Sequence, residues 1–360
     1  MRSEEVNIFQ SDPSNMGDTK QPMIATVIPV LNESEYITAC LDSLIEQTYP
    51  ATHHMIFILD GGSSDNTTEL VETAILRSAQ TNGPKIELHS NPGKFVSQGR
   101  NKALELMPST ITHVLELIGH STVNPDHLQV LVEEWSRISA IEDQELGALG
   151  SRVLPRKGEL DRVESWVEGA LGSPFGSGGG QFDRFTTAAP CKIPAFVLHS
   201  RRALVDVGGW DESFISSQDS DLSMRLASNG YALWRTPKTV VHMTKRTGLL
   251  RWSKMGHRYG FWRTKTVIKH PKRISLREYL PWLGLLATLS LAFAHMDWWL
   301  LPPMAYVCVL AIEAVRMSVK FGRISMLLGV PLCLFMLHVS FSVGLLDGFL
   351  RRGRAPSDRA

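Results

Sequence analysis

Two carboxylates follow a pair of glycines and an aromatic residue in the segment 208–226, which reads G-G-W-D-E-S-F-I-S-S-Q-D-S-D-L-S-M-R-L. Ser216 and Asp219 have the S-x-x-D spacing of a helix start, where a serine caps free N–H groups and an acid meets the positive helix end. Acids in a first turn usually only stabilise their helix. Here the adjoining glycine turn and the apolar residues Trp210, Phe214 and Ile215 favour a second interpretation, in which the segment holds one acid in a fixed place. Asp221 and Arg225 would then order the helix and the pocket beside it.

This pattern, G-G-W-D-E-S-F followed by Q-D-x-D-L-x-x-R-L, resembles the acceptor-side motif of family 2 glycosyltransferases. These are inverting enzymes that use nucleotide sugars, and the likeness is strongest to membrane-bound exopolysaccharide transferases of the succinoglycan-assembly type. The resemblance implies that Asp219 is the general base. It also implies that Gln218, Asp221, Arg225 and Trp210 form the acceptor side of the site.

The composition limits the classes of partner. The chain has 360 residues and a formal net charge of +1, whereas binding to phosphate backbones requires concentrated Lys and Arg, so we expect no nucleic-acid partner. Its four cysteines have neither metal-site nor disulfide-framework spacing, which suits a reducing compartment; they are Cys40, Cys191, Cys308 and Cys333.

The elements that would position the acids begin with two apolar, β-branched runs, 23–30 and 55–59. Each is typical of a strand buried on both faces of a parallel sheet, and each precedes a predicted helix. The pattern predicts an α/β, Rossmann-like, doubly wound and mostly parallel sheet of the GT-A type. In such sheets ligands bind beyond the carboxyl ends of the strands.

Polar motifs follow both strands. The first strand ends in P-V-L-N-E and the second in D-G-G-S-S-D-N-T. Structural turns use the same residue types, but together the motifs resemble the family's nucleotide-binding segments. The resemblance assigns the nucleotide to Pro29, Asn32, Glu33 and Asp60, and a carboxylate at a strand end can accept from an imide N–H or ribose hydroxyls.

A further basic residue, Arg100, lies in the segment G-R-N-K-A, which we predict to open a helix at Gly99. This segment resembles the family's A-R-N-x-G, and the planar guanidinium of Arg100 suits a diphosphate. An exposed arginine at a helix start with no ligand fits the sequence equally well.

In the family that the motifs resemble, two acids bind a metal at the positions that correspond to 118 and 120. This chain has Ile118 and His120 there, in the segment 113–121. A diphosphate leaving group normally requires a divalent cation, Mn²⁺ or Mg²⁺, and manganese tolerates a nitrogen ligand. His120 and the late-strand His242 are therefore the candidate ligands, although isolated buried histidines more often have structural roles. Glu116 would share the strand face of Ile118 and give at best distant help.

The C-terminal region is apolar, in three runs close to the roughly 20 residues that span a bilayer. Trp298 and Trp299 at a break favour membrane anchors over buried core helices. The basic segment before Tyr279 and the loop Arg316–Arg323 favour the cytoplasmic side, so the first two runs would form a hairpin and a third span would leave the C-terminus outside. The C-terminal arginines favour the inside instead, which requires one run to be re-entrant. Of the two arrangements we expect three spans. The predicted regions are a tail (1–22), a catalytic domain (23–246), basic interfacial helices (247–278), a transmembrane region (279–350, in runs 279–296, 298–315 and 326–350) and a basic tail (351–360).

We therefore predict an inverting transferase that moves a sugar from a nucleoside diphosphate donor, expected to be UDP-linked, to a lipid-linked saccharide acceptor. It would lie in the cell membrane as a multi-pass protein with its catalytic domain in the cytoplasm. The glycine-rich loop 172–185 would be a lid or a plain linker. Two alternatives remain: a polyprenyl-phosphate glycosyltransferase, and an impaired pseudo-glycosyltransferase that acts as a binding or scaffold protein.

Overall fold

The computed structural model describes residues 21–176, 182, 185–245 and 248–354. Most of the predicted N-terminal tail, and parts of the predicted lid loop 172–185 and of the basic tail 351–360, lie outside the described residues. The strands are β1 (Ile24–Val30), β2 (His54–Asp60), β3 (Lys85–Ser90), β4 (His113–Glu116), β5 (Ser121–Val123), β6 (Leu146–Pro155), β7 (Ala189–Pro190), β8 (Val197–Ser200) and β9 (Ala232–Met243). The helices are α1 (Ile37–Ile45), α2 (Thr67–Gln80), α3 (Val96–Leu106), α4 (His127–Ser139), α5 (Arg162–Gly172), α6 (Arg201–Asp206), α7 (Gln218–Ser228), α8 (Leu249–Lys269), α9 (Leu280–Phe293), α10 (Leu301–Phe321) and α11 (Met326–Leu350).

The strands form one sheet in the order β3-β2-β1-β4-β8-β6-β9-β5, with β7 paired to β9. β3, β2, β1 and β4 are parallel to one another, whereas β8 runs antiparallel to both of its neighbours. The α/β prediction is confirmed. The sheet is also mostly parallel, as predicted: β5, β7 and β8 are antiparallel to their partners, and the other six strands run in one direction.

Two apolar layers cover the two faces of this sheet, and alternate residues of β1 supply both. Ile24 and Ile28 pack in the layer that contains α1 and α2, whereas Ala25 and Val27 pack in the layer that contains α3 and α7. A strand that is apolar on both faces must be covered on both sides. Because β1–β4 are parallel, their carboxyl ends lie at one edge of the sheet, where the loops that carry the motifs begin.

The C-terminal helices differ from the predicted runs. α9 has only 14 residues, too few to cross a bilayer of ordinary thickness, so the first of the three predicted spans is corrected. Two segments are long and apolar enough to cross a membrane, Asp297–Phe321 and Met326–Leu350. α10 continues past the predicted end at Val315, which places Arg316 and Lys320 inside a helix instead of a loop.

Candidate active site

The two nucleotide motifs lie side by side at the carboxyl edge of the sheet. Val30, at the end of β1, is paired in register with Asp60 at the end of β2. Asn32 then turns into the left-handed region, with φ of 56°. Its backbone N–H donates to Ser63 Oγ at 2.9 Å, and its side-chain Oδ1 accepts from the Ser64 N–H at 2.8 Å. The predicted adjacency of the loops is therefore present, and hydrogen bonds fix one loop against the other.

Asp60 organises the second of these loops. Its carboxylate accepts from the N–H groups of Gly62 and Ser63, at 3.0 and 3.1 Å, and from Ser63 Oγ at 2.6 Å. Pro29 pairs with Leu59 one step earlier in the register. The carboxylate thus has a structural role in the loop at the carboxyl end of β2, and its predicted nucleotide contact stays a prediction.

The candidate metal ligands lie on neighbouring elements. His120 Nδ1 is 3.0 Å from Glu33 Oε1, and β5 pairs with β9 so that Thr122 stands opposite His242. His242 Nδ1 lies 2.9 Å from the carbonyl oxygen of Pro155, the kind of contact that leaves the other ring nitrogen to accept or to ligate. No group of three His, Cys, Asp or Glu side chains that could hold a metal occurs in the described residues.

Arg100 lies on the acceptor side and contacts two carboxylates. Its Nη1 donates to Asp219 Oδ1 at 2.7 Å, and its Nη2 lies 3.0 Å from Glu116 Oε2. α3 begins at Val96, so Arg100 is in the second turn and not at the helix start that the sequence predicted. Its guanidinium is buried. The structure therefore assigns Arg100 the orientation of Asp219, and its predicted diphosphate contact stays a prediction.

Glu116 and His199 are the site residues that the sequence analysis missed or discounted. The buried Glu116 carboxylate lies 2.7 Å from His199 Nε2 and accepts from Trp210 Nε1 at 3.2 Å. Trp210 is itself buried, which corrects its predicted role on the acceptor side: its indole N–H donates to Glu116 and does not face an acceptor. A glutamate and a histidine inside the apolar runs V-L-E-L and V-L-H were the available signal, since buried charges need partners.

The electrostatics of this group separate its two acids. Burial alone raises the pKa of Glu116, but Arg100 and His199 overcome that effect and hold it below its usual value. Desolvation by burial raises the pKa of Asp219 above its usual value; Arg100 opposes this increase, and the negative charge of Glu116 adds to it. The Asp219 side chain is nevertheless 48% exposed, so part of this carboxylate is open to solvent.

The helix that carries Asp219 begins differently from the prediction. α7 starts at Gln218, and the residue before it, Ser217, has a left-handed backbone with φ of 63° and makes no side-chain cap. The predicted cap by Ser216 is therefore wrong. The side-chain oxygen of Gln218 is buried and has no hydrogen-bond partner among the residues that the structure describes, and its predicted acceptor contact stays a prediction.

Asp221 and Arg225 fix this helix to the glycine turn. Arg225 Nε donates to Asp221 Oδ2 at 2.8 Å, and its two terminal nitrogens donate to the carbonyl oxygens of Val207 and Gly209, both at 2.7 Å. Asp221 is fully buried, so it orders the acceptor segment from within instead of facing an acceptor. Gly209, with φ of 71°, supplies the turn that this arrangement requires.

The end of α8 completes the same network. Lys269 Nζ lies 2.6 Å from carboxylate oxygens of both Asp211 and Asp221, and His270 Nε2 lies 2.8 Å from Asp221. Desolvation raises the pKa of Asp221, but Lys269, His270 and Arg225 lower it below its usual value. The acceptor segment is therefore held between the sheet and the helix that leads to the apolar C-terminal region.

Comparisons with known proteins identify similar glycosyltransferases. Residues 26–186 match the family model described as Glycosyl transferase family 2. The chain is 29% identical over 272 residues to the succinoglycan biosynthesis protein ExoA of Rhizobium meliloti (strain 1021), over 75% of this chain and 76% of the relative. It is 22% identical over 329 residues to the dolichyl N-acetyl-alpha-D-glucosaminyl phosphate 3-beta-D-2,3-diacetamido-2,3-dideoxy-beta-D-glucuronosyltransferase of Methanococcus voltae, over 91% and 97% of the two chains.

A solved structure supports the fold. The mannosyltransferase PcManGT from Pyrobaculum calidifontis, in complex with GDP-Man and Mn²⁺, superposes with a TM-score of 0.56 at 18% identity. The match covers 93% of this chain and 89% of that one. The family match, the relatives and the fold confirm the resemblance that the motifs indicated: residues 26–186 match glycosyl transferase family 2, the fold is of the GT-A type, and the protein is a glycosyltransferase.

Proposed function

We propose that this glycosyltransferase moves a sugar, with inversion, from a nucleoside diphosphate donor to a hydroxyl group of a lipid-linked saccharide. The observation that carries the proposal is the half-exposed Asp219. The buried Arg100 joins it to Glu116 at the end of β4, the edge of the sheet at which β1 and β2 also end. A base must be ionised and reachable, and a pKa raised towards neutral pH makes a carboxylate a stronger base.

In the proposed reaction, Asp219 accepts the proton of the acceptor hydroxyl while that oxygen attacks the anomeric carbon of the donor sugar. The bond from this carbon to the diphosphate oxygen breaks, and the diphosphate leaves with the electron pair. Attack from the face opposite the leaving group inverts the anomeric configuration. Asp60 and the 29–33 turn would hold the nucleotide, and Arg100 would keep Asp219 oriented towards the acceptor.

A divalent cation, Mn²⁺ or Mg²⁺, fits this site only together with the donor. Glu33 offers a carboxylate and His120 an imidazole, at 3.0 Å from one another, and both suit Mn²⁺. Donor phosphates would have to supply the other ligands, as they commonly do for such cations. When bound, the cation would neutralise negative charge on the diphosphate. His242, on the adjacent strand, is the remaining candidate ligand.

The donor and acceptor classes follow from the relatives and the resemblance. We propose a UDP-sugar donor, with a GDP-sugar as the first alternative because the solved neighbour of the same fold holds GDP-Man. The relatives are named for succinoglycan biosynthesis and for a dolichyl-linked sugar acceptor, which supports a saccharide carried on lipid. The catalytic domain would lie on the cytoplasmic face of the cell membrane.

Asp219→Asn tests the mechanism. General base catalysis contributes about 10²–10⁴-fold, so this isosteric variant should lose turnover by that factor and keep its affinity for the donor. Turnover is measured from product mass with purified protein in lipid, and affinity by calorimetry. Glu212→Gln is the matched control, because Glu212 lies in the same segment and its contact with Asn101 survives the change. Full turnover of Asp219→Asn would overturn the mechanism and favour a phosphate acceptor, which needs no base.

A further inference from the structure

Two arginines share a single glutamate between α8 and α9. Arg263 belongs to α8, Arg273 ends the 3₁₀ turn Pro271–Arg273, and Glu278 lies in the next 3₁₀ turn, Leu276–Tyr279. The three side chains are only 14–17% exposed, so this group is largely removed from water. Because arginine stays protonated in proteins, the group carries two positive charges against one negative charge.

The one carboxylate does not satisfy the two guanidinium groups. Arg263 Nε lies 3.3 Å from Glu278 Oε2, and Arg273 Nη1 lies 3.6 Å from Glu278 Oε1, both longer than ordinary N–H···O hydrogen bonds. Arg263 Nε and Nη1, Arg273 Nε and Glu278 Oε2 are all buried without a hydrogen-bond partner in the part of the chain that the structure describes. Buried polar groups of this kind cost free energy unless a partner meets them. Three unmet donors against one unmet oxygen indicate that a hydrogen-bond acceptor is missing.

The electrostatics of the group also favour an anion. Desolvation lowers the pKa of Arg263 below its usual value; Glu278 opposes this effect, and the positive charge of Arg273 adds to it. The surroundings therefore compensate the charge of Arg263 incompletely. A further anion beside Arg263 would remove this deficit, whereas a further cation would increase it.

The position of the group indicates which anion fits. The planar fork of a guanidinium donates two parallel hydrogen bonds to phosphate oxygens. α9 begins at Leu280, two residues after Glu278, and none of its residues is buried by protein. An apolar surface without protein cover is typical of contact with lipid. A phosphate held at this group would therefore lie beside acyl chains, as the phosphate of a lipid does.

α8 brings the same group towards the catalytic base. The helix packs on the acceptor segment, where Phe261 and Phe214 belong to one buried cluster. Tyr259 lies four residues before Arg263, on the same side of α8 and about 6 Å away along the axis. Desolvation raises the pKa of the Tyr259 hydroxyl, and the negative charge of Asp219 adds to this increase, so the two groups lie within electrostatic range of each other.

We propose that Arg263 and Arg273 bind the phosphate group of the lipid that carries the acceptor saccharide. The phosphate supplies the missing hydrogen-bond acceptor, the lipid chain lies beside α9, and the saccharide extends from the phosphate towards Asp219. The short separation of Arg263 from Tyr259 favours a carrier with a short saccharide. This inference rests on the lipid-linked acceptor of the proposed function, and it does not depend on the role of Asp219 as a base.

Binding of a lipid phosphate in the absence of sugar transfer tests the proposal. Farnesyl diphosphate is the probe, titrated by calorimetry into the full-length protein in a zwitterionic detergent. Arg263→Met should weaken its binding by about 10- to 100-fold, because charge-assisted hydrogen bonds are lost. Arg251→Met is the matched control, since it removes an exposed cation from the same helix, and its affinity should equal that of the unsubstituted protein.

Glu278→Gln gives a prediction of the opposite sign. Glu278 competes with the phosphate for both arginines, so its neutralisation should strengthen binding of farnesyl diphosphate by roughly 10-fold or more. Ion pairs with only a structural role would lose stability in both variants and gain affinity in neither. The proposal is overturned by unchanged affinity in Arg263→Met or by no gain in Glu278→Gln.

Two parallel probes identify the source of the phosphate. Farnesol has the same chain without phosphate, and phosphatidylglycerol is an anionic lipid of the bilayer; both should bind more weakly than farnesyl diphosphate. Equal affinity for either would overturn the assignment to the acceptor carrier. Asp219→Asn should bind farnesyl diphosphate as the unsubstituted protein does, so failure of the proposed base mechanism would leave these results unchanged.

Discussion

The proposed donor and acceptor sides of the site are held by different interactions. On the donor side, hydrogen bonds join the two loops: Asn32 bonds with Ser63 and Ser64, and the carboxylate of Asp65 accepts from the Ser34 N–H. On the acceptor side, the buried Arg100 and Glu116 fix Asp219 through ion pairs. Neutral hydrogen bonds each contribute about 0.5–1.5 kcal/mol, whereas a buried charge that loses its partner costs several times more. The acceptor side should therefore be the less tolerant of substitution.

Arg100→Gln should have the largest effect on stability. It removes the guanidinium from the buried Glu116 and leaves only His199 beside that carboxylate, so the free energy of unfolding should fall by about 3–5 kcal/mol in chemical denaturation of the detergent-solubilised protein. On the donor side, Ser63→Ala should cost only about 0.5–1.5 kcal/mol. The double variant Arg100→Gln/Glu116→Gln should recover part of the loss, because it removes both charges. Equal losses for Arg100→Gln and Ser63→Ala would contradict the comparison.

Asp60→Ala should have a smaller effect, confined to the donor. Loss of the polar contact and of the loop it organises should weaken UDP binding by about 1–3 kcal/mol, or roughly 5- to 150-fold, in calorimetry. Glu69→Gln, on the exposed side of α2, controls for removal of a nearby acid. If Asp60→Ala binds UDP as tightly as the unsubstituted chain, the nucleotide does not contact this loop.

The same contrast explains what the sequence could predict. The strands, the adjacent loops and the positions of Asp60 and Asp219 followed from local patterns, because each motif directly follows its own strand or turn. The buried ion pairs could not be predicted in this way. Asp219 lies 119 residues from its partner Arg100, and His199 lies 83 residues from its partner Glu116. A single sequence does not show which distant charges meet.

The C-terminal helices illustrate the same limit. Their apolar composition predicted membrane anchors, but it does not show which parts of the chain pack against them. α11 packs against α5 and α8, which are separated from it by long stretches of chain. The sequence even contained the Gly256-x-x-x-Gly260 spacing, whose partner helix only the structure identifies.

Glu116→Gln should change the rate only modestly, and its specific effect should be on the pH dependence of kcat/KM. The negative charge of Glu116 contributes to the raised pKa of Asp219, so its removal should lower that pKa. Arg100 would then be left to pair with Asp219 alone, which lowers the pKa further. Because the base acts when ionised, the acid limb of the kcat/KM–pH profile should move to lower pH, and the plateau should fall modestly because a weaker base transfers protons less well.

A merely structural role for Glu116 would reduce the plateau without moving the acid limb. Glu134→Gln is the matched control, since it removes another buried carboxylate, whose partners Arg137, Lys238 and Thr236 are not site residues. Its acid limb should coincide with that of the unsubstituted enzyme. If the limb of Glu116→Gln stays in place or moves to higher pH, the charge of Glu116 does not tune Asp219, and the acceptor side is held by its ion pairs without electrostatic adjustment of the base.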